Sequence, residues 1–262
     1  MLGKKIGREQ MNDYGLWVET NSEPSDSSES SSSLNFNLYT FGCSFTFGQN
    51  MIPENKQLYQ QEKRYSKLLS EELDFNEKNI SECGGSNFLI YRKVMEELKN
   101  IMSDENNIVV IQWTSHYRYE LPTRMDDVYF SLPYLDFTIP ELSSPFEYFM
   151  FQDGSEENPL IKEYENLNTD FINQSFNEKW LLESSYNLQF TLYHTLENLG
   201  IKHIHLFGWP HIVNDLVKLD KFLDKPFIDA NDGAHPNEKE HFNLKERLMK
   251  KIIELNYMEK QQ

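Results

Sequence analysis

The run Ile108-Val-Val-Ile-Gln-Trp113 constrains the fold of this chain more than any other stretch. β-Branched residues suit a pleated strand, and a strand that is apolar on both faces must be covered on both faces. Such a strand belongs inside a parallel sheet, and helices should flank it in the sequence. Glu62 to Leu73 carries Tyr65, Leu68, Leu69 and Leu73 at helical spacing. About Asn87 to Met102 carries Tyr91, Met95, Leu98 and Met102 on one helical face. Short strands are expected at Leu38 to Phe41 and around Asn79 to Glu82. Strand, helix, strand, helix, strand at these intervals implies parallel βαβ units with right-handed crossovers. The alternation resumes with a helix over Glu178 to Leu199, striped by Leu188, Leu192, Leu196 and Leu199, with Gly200 as its C-terminal stop. His203 to Phe207 reads as another strand, Phe227-Ile228 as the start of a last short one, and Pro236 to Leu255 as the closing helix.

Two segments fall outside this pattern. Asn21 to Ser33 is a Ser and acidic tract that cannot bury apolar area. Residues 1–33 therefore read as an N-terminal arm with a flexible linker, and the folded domain as 34–262. Residues 121–177 are aromatic and contain proline, without a sustained period. A structureless loop of that length in a compact domain is improbable, so the segment reads as an insertion packed over one end of the sheet, either a substrate-shaping lid or a docking surface.

Composition narrows the function. A formal charge of -17 argues against nucleic acid, whose phosphates demand Lys and Arg clusters, and against an anionic membrane surface. Neutral sugars and acyl esters remain open as substrates. No run reaches the length of a membrane span, and Met1 to Met11 lacks the apolar centre of a signal peptide. With 2 cysteines a disulfide framework is not expected, which suits a cytoplasmic or virion-associated setting.

The chemistry gathers at loops that follow the strands. Tyr39-Thr-Phe-Gly-Cys-Ser-Phe-Thr-Phe-Gly48 runs from the first strand into Gly42-Cys43-Ser44. A hydroxyl just past a strand's C-terminal end, where a helix begins, sits where open α/β sheets keep their ligands. The small-residue turn and the free N–H groups of the new helix favour a developing negative charge. Ser44 is thus a candidate nucleophile, with helix capping as the alternative role. In Asp229-Ala-Asn-Asp-Gly-Ala-His-Pro236, Asp232 lies three positions before His235, so a carboxylate can reach and orient an imidazole across the turn. An Asp/Asn/Gly turn with a capping role is the alternative there.

Taken together, Gly42-Cys43-Ser44 after the first strand, Gly84-Gly85-Ser86-Asn87 after the second, Trp113-Thr114-Ser115 after the third and Asp232-x-x-His235 before the last helix resemble the SGNH/GDSL hydrolase superfamily, in its GCSFT-type branch common in bacteria and bacteriophages. The resemblance implies a three-layer α/β/α domain on a parallel, flavodoxin-like sheet of about five strands, and hydrolysis of esters, often acyl or acetyl groups on carbohydrates or lipids, with no cofactor or metal. It implies Ser44 as nucleophile, His235 as base and Asp232 as its partner, with Ser44 and Gly85 N–H groups as oxyanion donors. Two departures stand out. Cys43 replaces the usual Asp of Gly-Asp-Ser, and Thr114 or Ser115 stands where the third motif supplies an Asn, so a hydroxyl or nearby Asn87 would have to donate instead.

Other residues have competing readings. Cys43 could be a rival nucleophile in a positive field, whereas Cys83 reads as a small buried filler. His203, His205 and His211 superficially resemble a metal cluster, but no Asp or Cys completes the set. Arg118 and Glu120 either face the cleft or form an exposed ion pair. Trp113 and Trp209 end strands and could stack on a sugar ring, or simply be buried. The leading expectation is a serine ester hydrolase acting on a small ester or acylated carbohydrate. The alternative is a weak or inactive binding or structural protein on the same fold, such as a phage particle component, with a homo-oligomer or virion partners left open.

Overall fold

A computed structural model describes residues 36–48, 62–82, 84–116, 118–122, 129–132, 178–228 and 235–258. Strands β1 (Asn37–Phe41) and β3 (Ile108–Trp113) form the centre of a parallel sheet, with β2 (Asn76–Asn79) outside β1. The hairpin strands β4 (Tyr119–Pro122) and β5 (Tyr129–Leu132) make a separate antiparallel pair, and β6 (Lys202–Phe207) lies outside β3. The order β2-β1-β3-β6 reverses direction after the second strand, which is the flavodoxin-like arrangement. Leu38 faces Ile108 and Phe41 faces Ile111, while Trp113 faces Phe207. All six residues of β3 are buried, as its apolar sequence demands.

Helices cover both faces. Short α1 (Ser44–Phe47) follows β1 directly, and α2 (Tyr65–Leu73) leads to β2. Next come α3 (Asn87–Ile101), α4 (Glu178–Asn198) and the closing α5 (Glu238–Glu254). Helix α2 packs on α5, and α3 packs on α4. Right-handed crossovers put those two pairs on opposite faces, giving three layers around one core. Leu69, Leu244, Leu248 and Ile252 belong to that core, as do Ile90, Val94, Leu192 and Leu196.

The departures from the sequence reading have local causes. The second strand is Asn76–Asn79 and ends where it was expected to begin. Its residues are all polar, so pairing with β1 rather than residue preference makes it a strand. The charge of Glu77 is met by both Nε and Nη2 of Arg64, at 2.9 and 3.0 Å, and by the Ser66 hydroxyl. Pro236 precedes the closing helix instead of opening it. Asn237 caps that helix and Glu240 returns the bond in a capping box. The sheet has four regular strands among the described residues, against about five expected. Residues 221–228 still run beside β6: Leu223 N–H donates to the His205 carbonyl and Phe227 N–H to that of Phe207. Between these two bonds the segment advances four residues against two on β6, so the register slips, over a stretch that includes Pro226. Of the segment 121–177, residues 121–122 end β4 and 129–132 are β5; the rest of it lies outside the described residues, as do the arm 1–33 and Cys83.

Candidate active site

The turn after β1 is built by close packing. A Cβ on Gly42 would lie 2.3 Å from Thr46 Oγ1 and 2.9 Å from Gln112 Oε1, so only glycine fits. The Gly42 carbonyl accepts the Glu82 N–H, tying the second loop to the first. Gln112, buried in β3, holds the turn from beneath. Its Oε1 accepts from Cys43 N–H at 3.2 Å, Cys43 Sγ at 3.3 Å and Thr46 Oγ1 at 3.2 Å, while its Nε2 donates to the Trp113 carbonyl at 2.7 Å. Sequence reading passed over Gln112; its signal was a lone amide inside an apolar strand, which must be hydrogen-bonded.

Cys43, not Ser44, occupies the N-cap of α1, and Ser44 is the first helical residue. The capping role weighed for Ser44 is therefore not the one it has. Its Oγ lies 3.0 Å from Nε2 of His235, a residue 191 positions away in the chain. Ser44 is buried and His235 half-buried, so the pair sits in a low-dielectric recess. Burial pushes the His235 imidazole down to about 4, and the Arg118 guanidinium pushes it the same way. The ring is therefore neutral at pH 7, as a general base must be. When Ser44 donates to Nε2, the ring proton sits on Nδ1, the nitrogen an orienting carboxylate would hold. Asp232 lies outside the described residues. Phe45 walls the pair, with its ring 5.5 Å from that of His235 and 4.2 Å from that of Trp209.

The remaining candidates divide. Thr114 follows β3 and is wholly buried, and its Oγ1 has no hydrogen-bond partner among the described residues. Ser115 is buried beside it and its carbonyl accepts the Arg118 N–H. Asn87 does not reach into the site. Its Nδ2 donates to the Thr114 carbonyl and to Ser185 Oγ, and its Oδ1 accepts the Thr114 N–H at 2.9 Å, so the amide clamps α3 to β3 and α4. The Gly85 N–H donates to the Glu82 carbonyl at 3.1 Å in this conformation. Cys43 is fully buried with its thiol on Gln112, and its sulfur is 4.0 Å from Ser44 Oγ, which removes it as an exposed nucleophile.

Trp113 is wholly buried and cannot stack on a sugar. Its indole N–H donates to His205 Nδ1 at 3.0 Å. Because the indole only donates, His205 must carry its proton on Nε2, which bonds His203 Nδ1 at 2.9 Å. His203 in turn presents Nε2–H to Glu197. The two imidazoles are thus a hydrogen-bonded relay, and among the described residues no cluster of three or more His, Cys, Asp or Glu could hold a metal. The side chains of His211 and Glu120 lie outside the described residues. Arg118 is buried rather than part of an exposed ion pair, with its guanidinium carbon 5.2 Å from the Trp209 ring centroid. Among the described residues, no helix is long and apolar enough to cross a membrane.

No family model matches the chain, and no curated protein matches it. Among solved structures it is similar to the psychrotrophic esterase EstA from Pseudoalteromonas sp., in a structure inhibited by monoethylphosphonate, at 12% identity and a TM-score of 0.44, over 84% of this chain and 98% of that one. It is also similar to a member of the lipolytic protein G-D-S-L family from Veillonella parvula, at 14% identity and a TM-score of 0.34, over 84% and 98% of the two chains.

Proposed function

We propose that this chain is a serine ester hydrolase of SGNH type, and the 3.0 Å contact between Ser44 Oγ and His235 Nε2 is the observation that carries the reading. An alcohol and a neutral imidazole that meet at the rim of a parallel sheet are the nucleophile and base of acyl transfer. His235 takes the Ser44 proton as Oγ attacks the ester carbonyl, and returns it to the departing alcohol. A water then enters by the same route to release the acyl group. Asp232 is assigned as the carboxylate on Nδ1, from its place three positions before His235. The oxyanion is assigned to the Ser44 N–H and the Thr114 hydroxyl, with the Gly85 N–H joining once it leaves Glu82. A small acyl or acetyl ester, carried on a carbohydrate in one version of this reading, is the substrate class.

The second reading, a weak or inactive binding protein on the same fold, draws on the oxyanion loops. The Asn87 amide is fully spent and the Gly85 N–H is already bonded. Missing one oxyanion donor costs about a hundredfold to a thousandfold in rate. Turnover of 4-nitrophenyl acetate and labelling by a fluorophosphonate decide between the two. The enzyme reading expects added mass on Ser44, and Ser44→Ala folded but without turnover. Labelling of Cys43, or unchanged turnover in Ser44→Ala, rejects the assignment.

A further inference from the structure

We propose that Arg118 is a specificity residue that binds a carboxylate on the substrate beside the scissile ester. This rests on the esterase reading and goes beyond it by naming the charge of the substrate. Arg118 is 8% exposed, yet neither Nε nor Nη1 has a hydrogen-bond partner among the described residues. Its backbone is fixed by the turn that closes on the Ser115 carbonyl, and its guanidinium lies over the Trp209 ring. Trp209 packs on Phe45, and Phe45 packs on His235, so the cation shares one aromatic wall with the Ser44–His235 pair. Its field also reaches the His235 ring.

Among the described residues no carboxylate pairs with this buried guanidinium; such a charge is costly unless a partner completes the pairing, and a ligand carboxylate would do so. An arginine fork matches a planar carboxylate, and the indole beneath holds the fork in place. Arg118 is the one cation set against Trp209 among the described residues, and in a chain of net charge -17 one such charge suits a singly charged group better than a phosphate dianion.

The test compares kcat/KM for 4-nitrophenyl acetate with that for the 4-nitrophenyl monoesters of succinate and glutarate, and for phenyl acetate with that for 4-acetoxybenzoate. These pairs place the carboxylate on the acyl side and on the alcohol side in turn. We expect one pair to favour the charged ester by about tenfold to a hundredfold, the range of one charge-assisted hydrogen bond, mainly through KM. Arg118→Gln should collapse that ratio to near one, and Arg118→Lys should restore part of it. Since the ratio is internal to each variant, general damage to the site cancels. Active enzyme that labels at Ser44 but shows no charge preference in either pair overturns the Arg118 assignment and leaves the esterase reading standing. A preference that survives Arg118→Gln also overturns it. Absence of both labelling and turnover removes the two together.

Discussion

Replacing Gln112 with Met tests how Ser44, the proposed nucleophile, is held. The side chains are alike in length and volume, so repacking alone should cost little. The amide's loss is unequal among its partners. The Trp113 carbonyl keeps the Gly208 N–H at 2.8 Å, and Thr46 Oγ1 keeps the Tyr65 hydroxyl at 3.2 Å. The Cys43 thiol is a weak donor and loses little. The Cys43 N–H, buried at the start of α1, is left without an acceptor, at about 1–3 kcal/mol. A loss near 2 kcal/mol lowers the melting temperature of a domain of this size by roughly 4–8 °C. Ser44 is the next residue in the chain, so its Oγ should wander from His235. A displacement near 1 Å costs about a hundredfold in kcat. Thermal unfolding and steady-state hydrolysis of 4-nitrophenyl acetate measure both effects. A Gln112→Met protein that melts within about 1 °C of the native one and turns over at the native rate would refute the claim that this amide holds the turn that carries Ser44.

The acid side of the pH profile follows from three buried imidazoles and the half-buried His235. Burial holds His203 and His235 down to about 4 and His241 to about 3, and His205 lies well below its ordinary value. Below about pH 6.5 the unfolded chain binds more protons than the native one, so stability is full above that pH and declines as pH falls toward 4. Urea titrations should show this, and a flat profile between pH 7 and 4.5 would contradict it. If His235 is the general base proposed above, ester hydrolysis should persist down to near pH 4, and Arg118→Gln should move that limb upward, since a positive charge is removed from beside His235. Arg64→Ala should cost about 3 kcal/mol in urea unfolding, because it leaves the Glu77 carboxylate, whose side chain is only 11% exposed, without its cation and with the Ser66 hydroxyl as its remaining side-chain partner among the described residues. Nitrogen NMR should find both His203 and His205 protonated at Nε2 at pH 7; an Nδ1–H tautomer on either ring would break the relay drawn from Trp113.

The regions legible from sequence alone are those where local pattern and tertiary demand agree. The β-branched run of β3 could only be a doubly covered strand, and the stripe Leu188, Leu192, Leu196 could only be a helix. Gly42-Cys43-Ser44 marked the strand-to-helix turn because small residues there are a steric requirement, which the 2.3 Å approach to Thr46 makes concrete. Local chemistry could not say which polar side chains were already taken. Asn87 and Trp113 looked available as donor and platform, but each is consumed by partners far away in sequence, at Ser185 and His205. Arg118 looked like a surface charge until tertiary packing set it over Trp209. Strand β2 is polar and exists because β1 offers it a ladder. Sequence thus determined the alternation of strands and helices, and with it the rim where chemistry could gather, since periodicity is a property of neighbours along the chain. Only the tertiary structure decided that residue 44 meets residue 235, because hydrogen bonds are allotted by proximity in space, which one dimension does not contain.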